Sequence, residues 1–459
     1  MRNRASVLVG LLWCLALLSV LVIGVLHTAR LDLQVAKNYG DVIQARYLAL
    51  AGIETAKALL YHDAIERKRA AKNHTGALYD APEYFRDVPL GRGRFRVFRQ
   101  GRRDEGGGII YGISDEESRL NLNQAAPDEL AKLYGMTPDV VAAILDWRDE
   151  DNAVSPGGAE ADYYAALQPP CQPRNGRFET TRELLMVRGV SSDLFAGEDA
   201  NQNGLLDPEE DDGDNSYPPD NRDGILDAGW SANLTVDSSA RNQNAAGEDR
   251  VNIQEADEKA LASVRGISPD LAKAIVASRG QNRLESLADL LDLTPANPQN
   301  QQATPAPGPA GPNVPSAPQN AAPRSQPSGP KLVSEDLLME IGDDLSATSD
   351  LSQPGAINVN TASAEVLACL PGVSHELAQA IVSHRKSAGF FPNIAWLLKV
   401  PEMSREIFKQ VAPLLTARSE TYRILSEGKV TSSGARQRIQ VIVHVGLEDI
   451  QTLSYREDL

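Results

Sequence analysis

The sequence predicts an α+β fold in three parts. These are a long N-terminal membrane or filament helix, a small β-sheet formed from both chain ends, and a large inserted α-helical domain of helix–hairpin–helix (SAM-like) repeats. Three observations predict it. Residues 6–26 read SVLVGLLWCLALLSVLVIGVL without a charge and run on into an amphipathic stretch. Alternating apolar segments occur near both ends of the chain. Between them, one pattern of paired helices recurs.

The apolar run covers roughly 31 Å as a helix, enough for a bilayer core of about 30 Å. Arg2 and Arg4 precede it, which places the N-terminus in the cytoplasm and the bulk on the far side. A cleaved secretory signal fits the charged start, but the run is long and no A-x-A site follows. A plain signal anchor is the simpler alternative. Helical character continues from Leu31 to Tyr61 without proline, and Val35, Tyr39, Ile43, Tyr47, Leu50, Ile53 and Leu60 recur at helical spacing. One helix of some 55 residues suits a subunit that packs its N-terminus into a filament core.

The chain has 459 residues, suggesting roughly two to four domains. Its net charge of −17 disfavours wholesale nucleic-acid binding. The three cysteines are Cys14, inside the span, and Cys171 and Cys369, which fall in different repeats and read as free thiols.

Gly91–Gln100 (GRGRFRVFRQ) and Ile109–Ser114 read as strands around a glycine turn. Thr421–Leu425 and Arg438–Val445 (RIQVIVHV) alternate in the same way and supply their partners. Strands at both ends with helices between them mean a small sheet domain carrying a large insertion.

The insertion repeats. Asn121-Leu122-Asn123, Asn252-Ile253-Gln254 and Asn358-Val359-Asn360 each lie 14 residues before a glycine, counted from the first Asn: Gly135, Gly266 and Gly372. Thr137, Ser268 and Ser374 N-cap the helices that follow. A partial fourth copy, LLMVRGVSSDLF, carries Gly189 and Ser191. FETTRELL, LESLADLL and FPNIAWLL read as equivalent short helices. Hairpins of this kind bind DNA phosphates through a Gly-h-Gly turn. Here the second glycine is replaced by Thr137, Ser268, Ser374 or Ser191, and Asp139, Asp270, Glu376 and Asp193 stand beside the turns. The hairpins therefore read as packing units. Residues 295–330, with eleven prolines, read as an extended, mobile linker.

Residues 197–229 hold the strongest chemistry. Asp199, Asn201, Asn203 and Asp207 occupy positions 1, 3, 5 and 9 of a calcium loop. Leu205 offers its carbonyl at position 7, and Glu210 closes position 12. Gly204 at position 6 permits the turn. All ligands are oxygens, so Ca2+ is expected rather than zinc. A degenerate second copy, Asp220, Asn221, Asp223, Ile225 and Asp227, lacks the final Glu, and Asp212 and Asp214 could complete a second site. Without metal so many carboxylates repel one another, so binding couples to folding of the loop. No helix pair flanks the loop as in a calcium switch, and the role reads as structural.

Together these features resemble the K-type minor pseudopilins of type II secretion systems (general secretion pathway protein K), over nearly the full chain. The stretch from Asp146 to Val190, with Gly158-Ala159-Glu160 and Tyr163-Tyr164, is similar to that family's first helical domain. The resemblance implies a leader at 1–5 and cleavage by prepilin peptidase between Ala5 and Ser6, where Ala5 stands in place of the family's usual Gly. It implies a transmembrane part at 6–27 and an amphipathic continuation at 28–65. The pseudopilin α+β domain would comprise 86–118 and 419–457. The first inserted helical domain would span 119–250, and the second 251–294 and 331–416.

Gly10 falls where major pseudopilins carry Glu, a residue costly in a bilayer unless paired with the amine of the subunit above. A subunit with nothing above it has no such amine, so Gly10 fits the filament tip. The implied role is non-enzymatic. The protein would join the I- and J-type minor pseudopilins at the pseudopilus tip, and start assembly on the inner-membrane platform for export of folded proteins across the outer membrane. The implied location is the inner membrane, single-pass, with a cytoplasmic N-terminus and a periplasmic bulk. The alternatives are a membrane-anchored DNA-uptake protein using the hairpins and a calcium-dependent surface protein on a plain anchor. For an enzyme, the six histidines are scattered and neither G-x-S-x-G nor a P-loop occurs.

Overall fold

The structure, a computed structural model, describes residues 3–70, 76–280, 283–294, 331–446 and 449–457, with side chains in the first helix from residue 7 onward. The proline-rich segment 295–330 and the side chains of Ala5 and Ser6 lie outside the described residues.

The N-terminal helix runs without interruption from Asn3 to Ala70, 68 residues or about 102 Å. It extends beyond residue 65, where the sequence reading ended it. No proline intervenes before Pro82, and Asp63–Arg67 and Glu66–Arg69 ion pairs support the last turns. Residues 7–40 are exposed on every side. Burial begins at Asp41, and Ala45, Leu48, Ala49, Ile53, Ala56 and Leu60 form the stripe that packs on the sheet.

The sheet is antiparallel and takes its strands from both chain ends. Its order is Val88–Leu90, Gly93–Val97, Thr421–Val430, Arg436–Val445 and Ile450–Arg456. Ser114–Asp115 adds to the start of the third of these. The sequence reading found the three inner segments, missed the edge strands Val88–Leu90 and Ile450–Arg456, and ended Thr421–Leu425 five residues early, because Ser426–Val430 (SEGKV) does not alternate. The segment read as one strand over Ile109–Ser114 divides. Ile109–Ile110 pairs with Arg99–Gln100, and only Ser114–Asp115 enters the main sheet.

Phe95, Val97, Ile424, Ile439, Val441 and Val443 face the helix. The approach is close at Gly428, where a Cβ would sit 2.0 Å from the Ala45 carbonyl oxygen. Across the strands Glu427 is buried and pairs with both Arg96 and Arg438.

The helical insertion consists of three units of one plan, sharing a single hydrophobic core. Each starts with a two-residue strand and ends with another that pairs with it in parallel. The pairs are Leu120–Asn121 with Leu234–Thr235, Val251–Asn252 with Leu345–Ser346, and Ile357–Asn358 with Leu415–Thr416. Between the strands lie two hairpins, not one.

In the third unit the helices are Ala364–Ala368 and His375–Ala388, then Ile394–Lys399 and Arg405–Val411. The first unit repeats this with Pro127–Leu130, Pro138–Arg148, Thr181–Met186 and Ser192–Ala196. LLMVRGVSSDLF is therefore the second hairpin of the first unit, and Leu397–Phe408 is its counterpart in the third. In the middle unit Leu287–Asp292 and Glu335–Ile341 hold the two sides of that second hairpin. Segment 295–330 lies between them in the chain.

Candidate functional site

The repeated polar residues of the three units are committed to internal bonds. Thr137, Ser268 and Ser374 accept from Val140 N, Leu271 N and Leu377 N, and Ser191, Ser334 and Ser404 cap the second hairpins in the same way. Gly135 and Gly372 turn with φ of +72°, a conformation open to glycine at little cost. Asn123 and Asn360 clamp the backbone at Phe178 and Phe391, just ahead of Thr181–Met186 and Ile394–Lys399. Arg148, Arg279 and Arg385, each near the end of its hairpin, donate to carbonyls of the opening turns: Leu122 and Ala125, Ile253 and Ala256, and Val359. These bonds satisfy backbone groups at the helix junctions.

The sequence SDEES, residues 114–118, joins the sheet to the helical units. Asp115 is 4% exposed. Its Oδ2 accepts from Asn358 Nδ2 at 2.9 Å and from the hydroxyls of Thr361 and Ser419, while its Oδ1 accepts from Glu117 N. Asn358 also donates to Ser419, and Asn121 makes the equivalent bond to Ser238. Fully buried Glu116 pairs with Arg423 and accepts from Thr235. Glu117 accepts from Thr421 N.

Burial, then the charge of Asp115, pushes the Glu117 carboxyl well above the usual range. Burial also raises Asp115, against the donors Ser419 and Thr361. A raised carboxyl contributes stability that is complete below its unfolded value, near 4.3, and lost as pH rises through its folded value. Glu117→Gln removes that titration while keeping an acceptor for Thr421 N. The wild-type protein is therefore expected to lose more melting temperature than Glu117→Gln between pH 5 and pH 9. The excess loss should be about 2–4 °C, as for roughly 1 kcal/mol in a domain of 150–250 residues. Parallel thermal melts across that range check this.

The acidic loop leaves the helix Ser192–Ala196 and folds on itself. Asp199, Asn203 and Glu210 are buried. Asp199 accepts from Asn203 N and Gly204 N, Asn201 Oδ1 from Asn203 N, and Asn203 Oδ1 from Leu205 N. Glu210 accepts from Asn201 N and Asp207 N, and Asp207 Oδ2 receives the amides of Asn201 and Asn203 at 2.9 and 2.8 Å. All five side chains expected around one ion are thus interlocked in one small loop. Burial raises the carboxyls of both Asp199 and Glu210, a cost that a cation among them would offset. The oxygen-only donor set and this burial fit Ca2+.

Leu205, expected to offer a carbonyl, also packs its side chain with Phe98 and Leu425 at the sheet. That contact was not read from the sequence.

The second expected set bonds largely within its own segment. Asp220 collects the N–H groups of Asp212, Gly213 and Arg222. Asn221 accepts from Asp223 N, and Asp223 accepts from Ile225 N and pairs with Arg103 at 3.1 Å. Asp227 accepts from Gly229 N, and Asp214 is exposed. The loop as a whole bridges the first helical unit to the hairpin 99–110 and to the sheet. Cys171 and Cys369 are free thiols, Cys369 buried and pushed up to about 12 by desolvation.

Comparison with known proteins places these features. Residues 112–197 match the family described as type II secretion system (T2SS), protein K, and residues 353–416 match the helix-hairpin-helix motif. A type II secretion system protein K from Pectobacterium carotovorum subsp. carotovorum is 28% identical over 216 residues, 42% of this chain and 60% of that protein. The chain thus spans 60% of that relative's length. The protein K of Aeromonas hydrophila is 51% identical over 55 residues, 12% of this chain and 17% of that one.

A crystal structure of the GspK-GspI-GspJ complex from enterotoxigenic Escherichia coli covers 94% of this chain and 98% of its own. It does so at 12% identity and a TM-score of 0.41, a distant likeness. With a protein K domain match on the first helical unit and protein K relatives over as much as 42% of the chain, the chain is similar to the protein K minor pseudopilins of type II secretion systems.

Proposed function

We propose that this protein sits at the tip of a pseudopilus with I- and J-type minor pseudopilins and starts pseudopilus assembly on the inner-membrane platform. The observation that carries the reading is the form of the first helix. About 34 residues, 7–40, stand free of the globule, roughly 51 Å of helix. Residues 41–70 are fixed to the sheet. A free apolar half is suited first to a bilayer and then to a filament core, and the sheet fixes the angle at which it leaves the body.

Three helical units beside the sheet make a body that would obstruct a subunit stacked above it. Gly10, with nothing within 4 Å, presents no carboxylate that needs an amine from above. The role is structural, not enzymatic, and the bulk is periplasmic. In this role Asp199, Asn201, Asn203, Asp207, Glu210 and the Leu205 carbonyl hold one Ca2+. The ion supplies positive charge among buried carboxylates and so fixes the loop against Phe98 and Leu425.

Processing by prepilin peptidase tests the pathway. Protein extracted from membranes is expected to begin at Ser6 when the peptidase is present and at Met1 when it is absent, read by intact mass and N-terminal sequencing. Met1 in both strains would remove the reading.

A further inference from the structure

The outer face of the sheet carries a basic cleft. Phe95, Ile439 and Val441 face the N-terminal helix, so their neighbours in each strand point the other way. On that outer face Arg94 stands opposite Lys429, and Lys429 opposite Arg436, which puts three like charges in one row across three strands. In the next row Arg96, Glu427 and Arg438 stand opposite one another. Opposed residues have Cβ atoms about 4.5–5.5 Å apart, and like charges so placed are destabilising unless something offsets them. Here opens a cleft of about 230 Å³, lined by Asp87, Arg94, Arg96, Glu427, Lys429 and Arg436.

Its charges do not balance. Glu427 is buried and shared between Arg96 and Arg438, at 3.1 and 3.0 Å. Asp87 approaches Arg94 Nε only to 3.9 Å, beyond hydrogen-bond reach. Lys429 and Arg436 make no ion pair or hydrogen bond among the described residues. Five basic side chains thus face two carboxylates, an excess of three, on a chain whose net charge is −17. Arg94 Nε is buried with no acceptor, a state that costs more for a charged group than for a neutral one.

The cleft lies at the end of the sheet from which the free part of the helix departs. Val430, next to Lys429, packs on Ala45 and Leu48, and Arg92 donates to Gln44. These helix residues follow directly on Asp41, where burial begins.

We propose that the cleft between Arg94, Lys429 and Arg436 binds a phosphate group, carried by an anionic phospholipid headgroup or by a soluble phosphate. An arginine fork presents paired donors to phosphate oxygens, and lysine adds a point charge. The Arg96–Glu427–Arg438 row, already paired within itself, forms the floor. The phosphate supplies the negative charge that the row above lacks and an acceptor for Arg94 Nε. Its oxygens point in several directions, which suits donors converging from three strands better than the two coplanar oxygens of a carboxylate.

The test uses the full-length protein in a non-ionic detergent, with calcium and ionic strength held constant. Inorganic phosphate and glycerophosphoglycerol, the water-soluble headgroup of phosphatidylglycerol, are each titrated by calorimetry. Saturable binding of at least one probe, one per chain, is expected. Binding of glycerophosphoglycerol points to a lipid source, and binding of inorganic phosphate alone to a soluble one. Lys429→Gln with Arg436→Gln is expected to weaken binding about tenfold or more, as for the loss of one charge-assisted contact. Arg94→Lys, which keeps the charge and removes the fork, is expected to weaken it as well. Lys259→Gln with Lys273→Gln removes the same charge from exposed positions of the middle helical unit and should bind as the wild type does. Without either probe, the protein carrying Lys429→Gln and Arg436→Gln should melt no lower than wild type, since it relieves repulsion. This separates loss of a ligand from loss of folding.

If that double variant fails to fold, Arg94→Lys carries the test by itself. The proposal is overturned if neither probe binds the wild type. It is equally overturned if the double variant, or Arg94→Lys where that variant carries the test, binds as tightly as wild type. Equal weakening by Lys259→Gln with Lys273→Gln would also overturn it, because binding would then follow overall charge and not the cleft.

Discussion

Asp115→Ala is expected to cost about 3–5 kcal/mol, the range for removing one member of a buried charged network. The carboxylate is the shared acceptor for Asn358, Thr361 and Ser419, and through Glu117 N it also fixes its own chain. Alanine leaves three buried donors without it, each worth roughly 1–3 kcal/mol if nothing replaces the bond. Asn358 and Ser419 can still bond each other, which limits the loss. Asp115→Asn keeps the shape and one acceptor oxygen, and should lose less.

The effect should be local at first. The bonds link the edge of the sheet to the third helical unit, so the joint at 115–119 and 417–421 should open before either part melts. Limited proteolysis and denaturant melts would read this. Asp115→Ala within 0.5 kcal/mol of wild type, about the range of an inconsequential surface change, would show that the joint does not depend on it.

Removing calcium is expected to have the second large effect. An ion that binds only the folded loop stabilises by about 2.7 kcal/mol when its concentration is 100 times its dissociation constant. Chelation should therefore lower the melting temperature of the region and release Leu205 from Phe98 and Leu425. The exposed Arg222, whose guanidinium donates to the Asp212 carbonyl, offers a trypsin site inside the loop. Cleavage after Arg222 is expected to be slow in calcium and at least tenfold faster in chelator. Asp207→Ala should be cleaved quickly in both. Equal cleavage of the wild type in both conditions would mean that the loop holds itself without metal.

Much of this arrangement was legible in the sequence because it repeats or alternates. The uncharged run 6–26, the strand RIQVIVHV and the spacing from Asn121, Asn252 and Asn358 to their glycines are all periodic signals. What escaped is what has no period. The closing strands Leu234–Thr235, Leu345–Ser346 and Leu415–Thr416 are two residues each, too short to alternate, although the recurrence of Leu followed by Thr or Ser could have marked them. The second hairpin of the third unit was hidden because Glu402, with φ of +71°, stands where the first unit has a glycine. In the middle unit the proline-rich segment separates the hairpin's two sides in sequence.

At the sites, the loop at 199–210 was legible because a calcium loop is local and ordered. The contact of Leu205 with Phe98 and Leu425 was not, since it joins parts far apart in the chain.

The tip position is the central claim, and labelling in place tests it most directly. The full-length protein would carry a small epitope in the proline-rich segment 295–330. Pseudopili sheared from secreting cells would be labelled with gold-conjugated antibody and viewed by electron microscopy. Gold at one end of each filament, and absent from the shaft, is the expected result. Gold spread along the shaft would contradict the tip position.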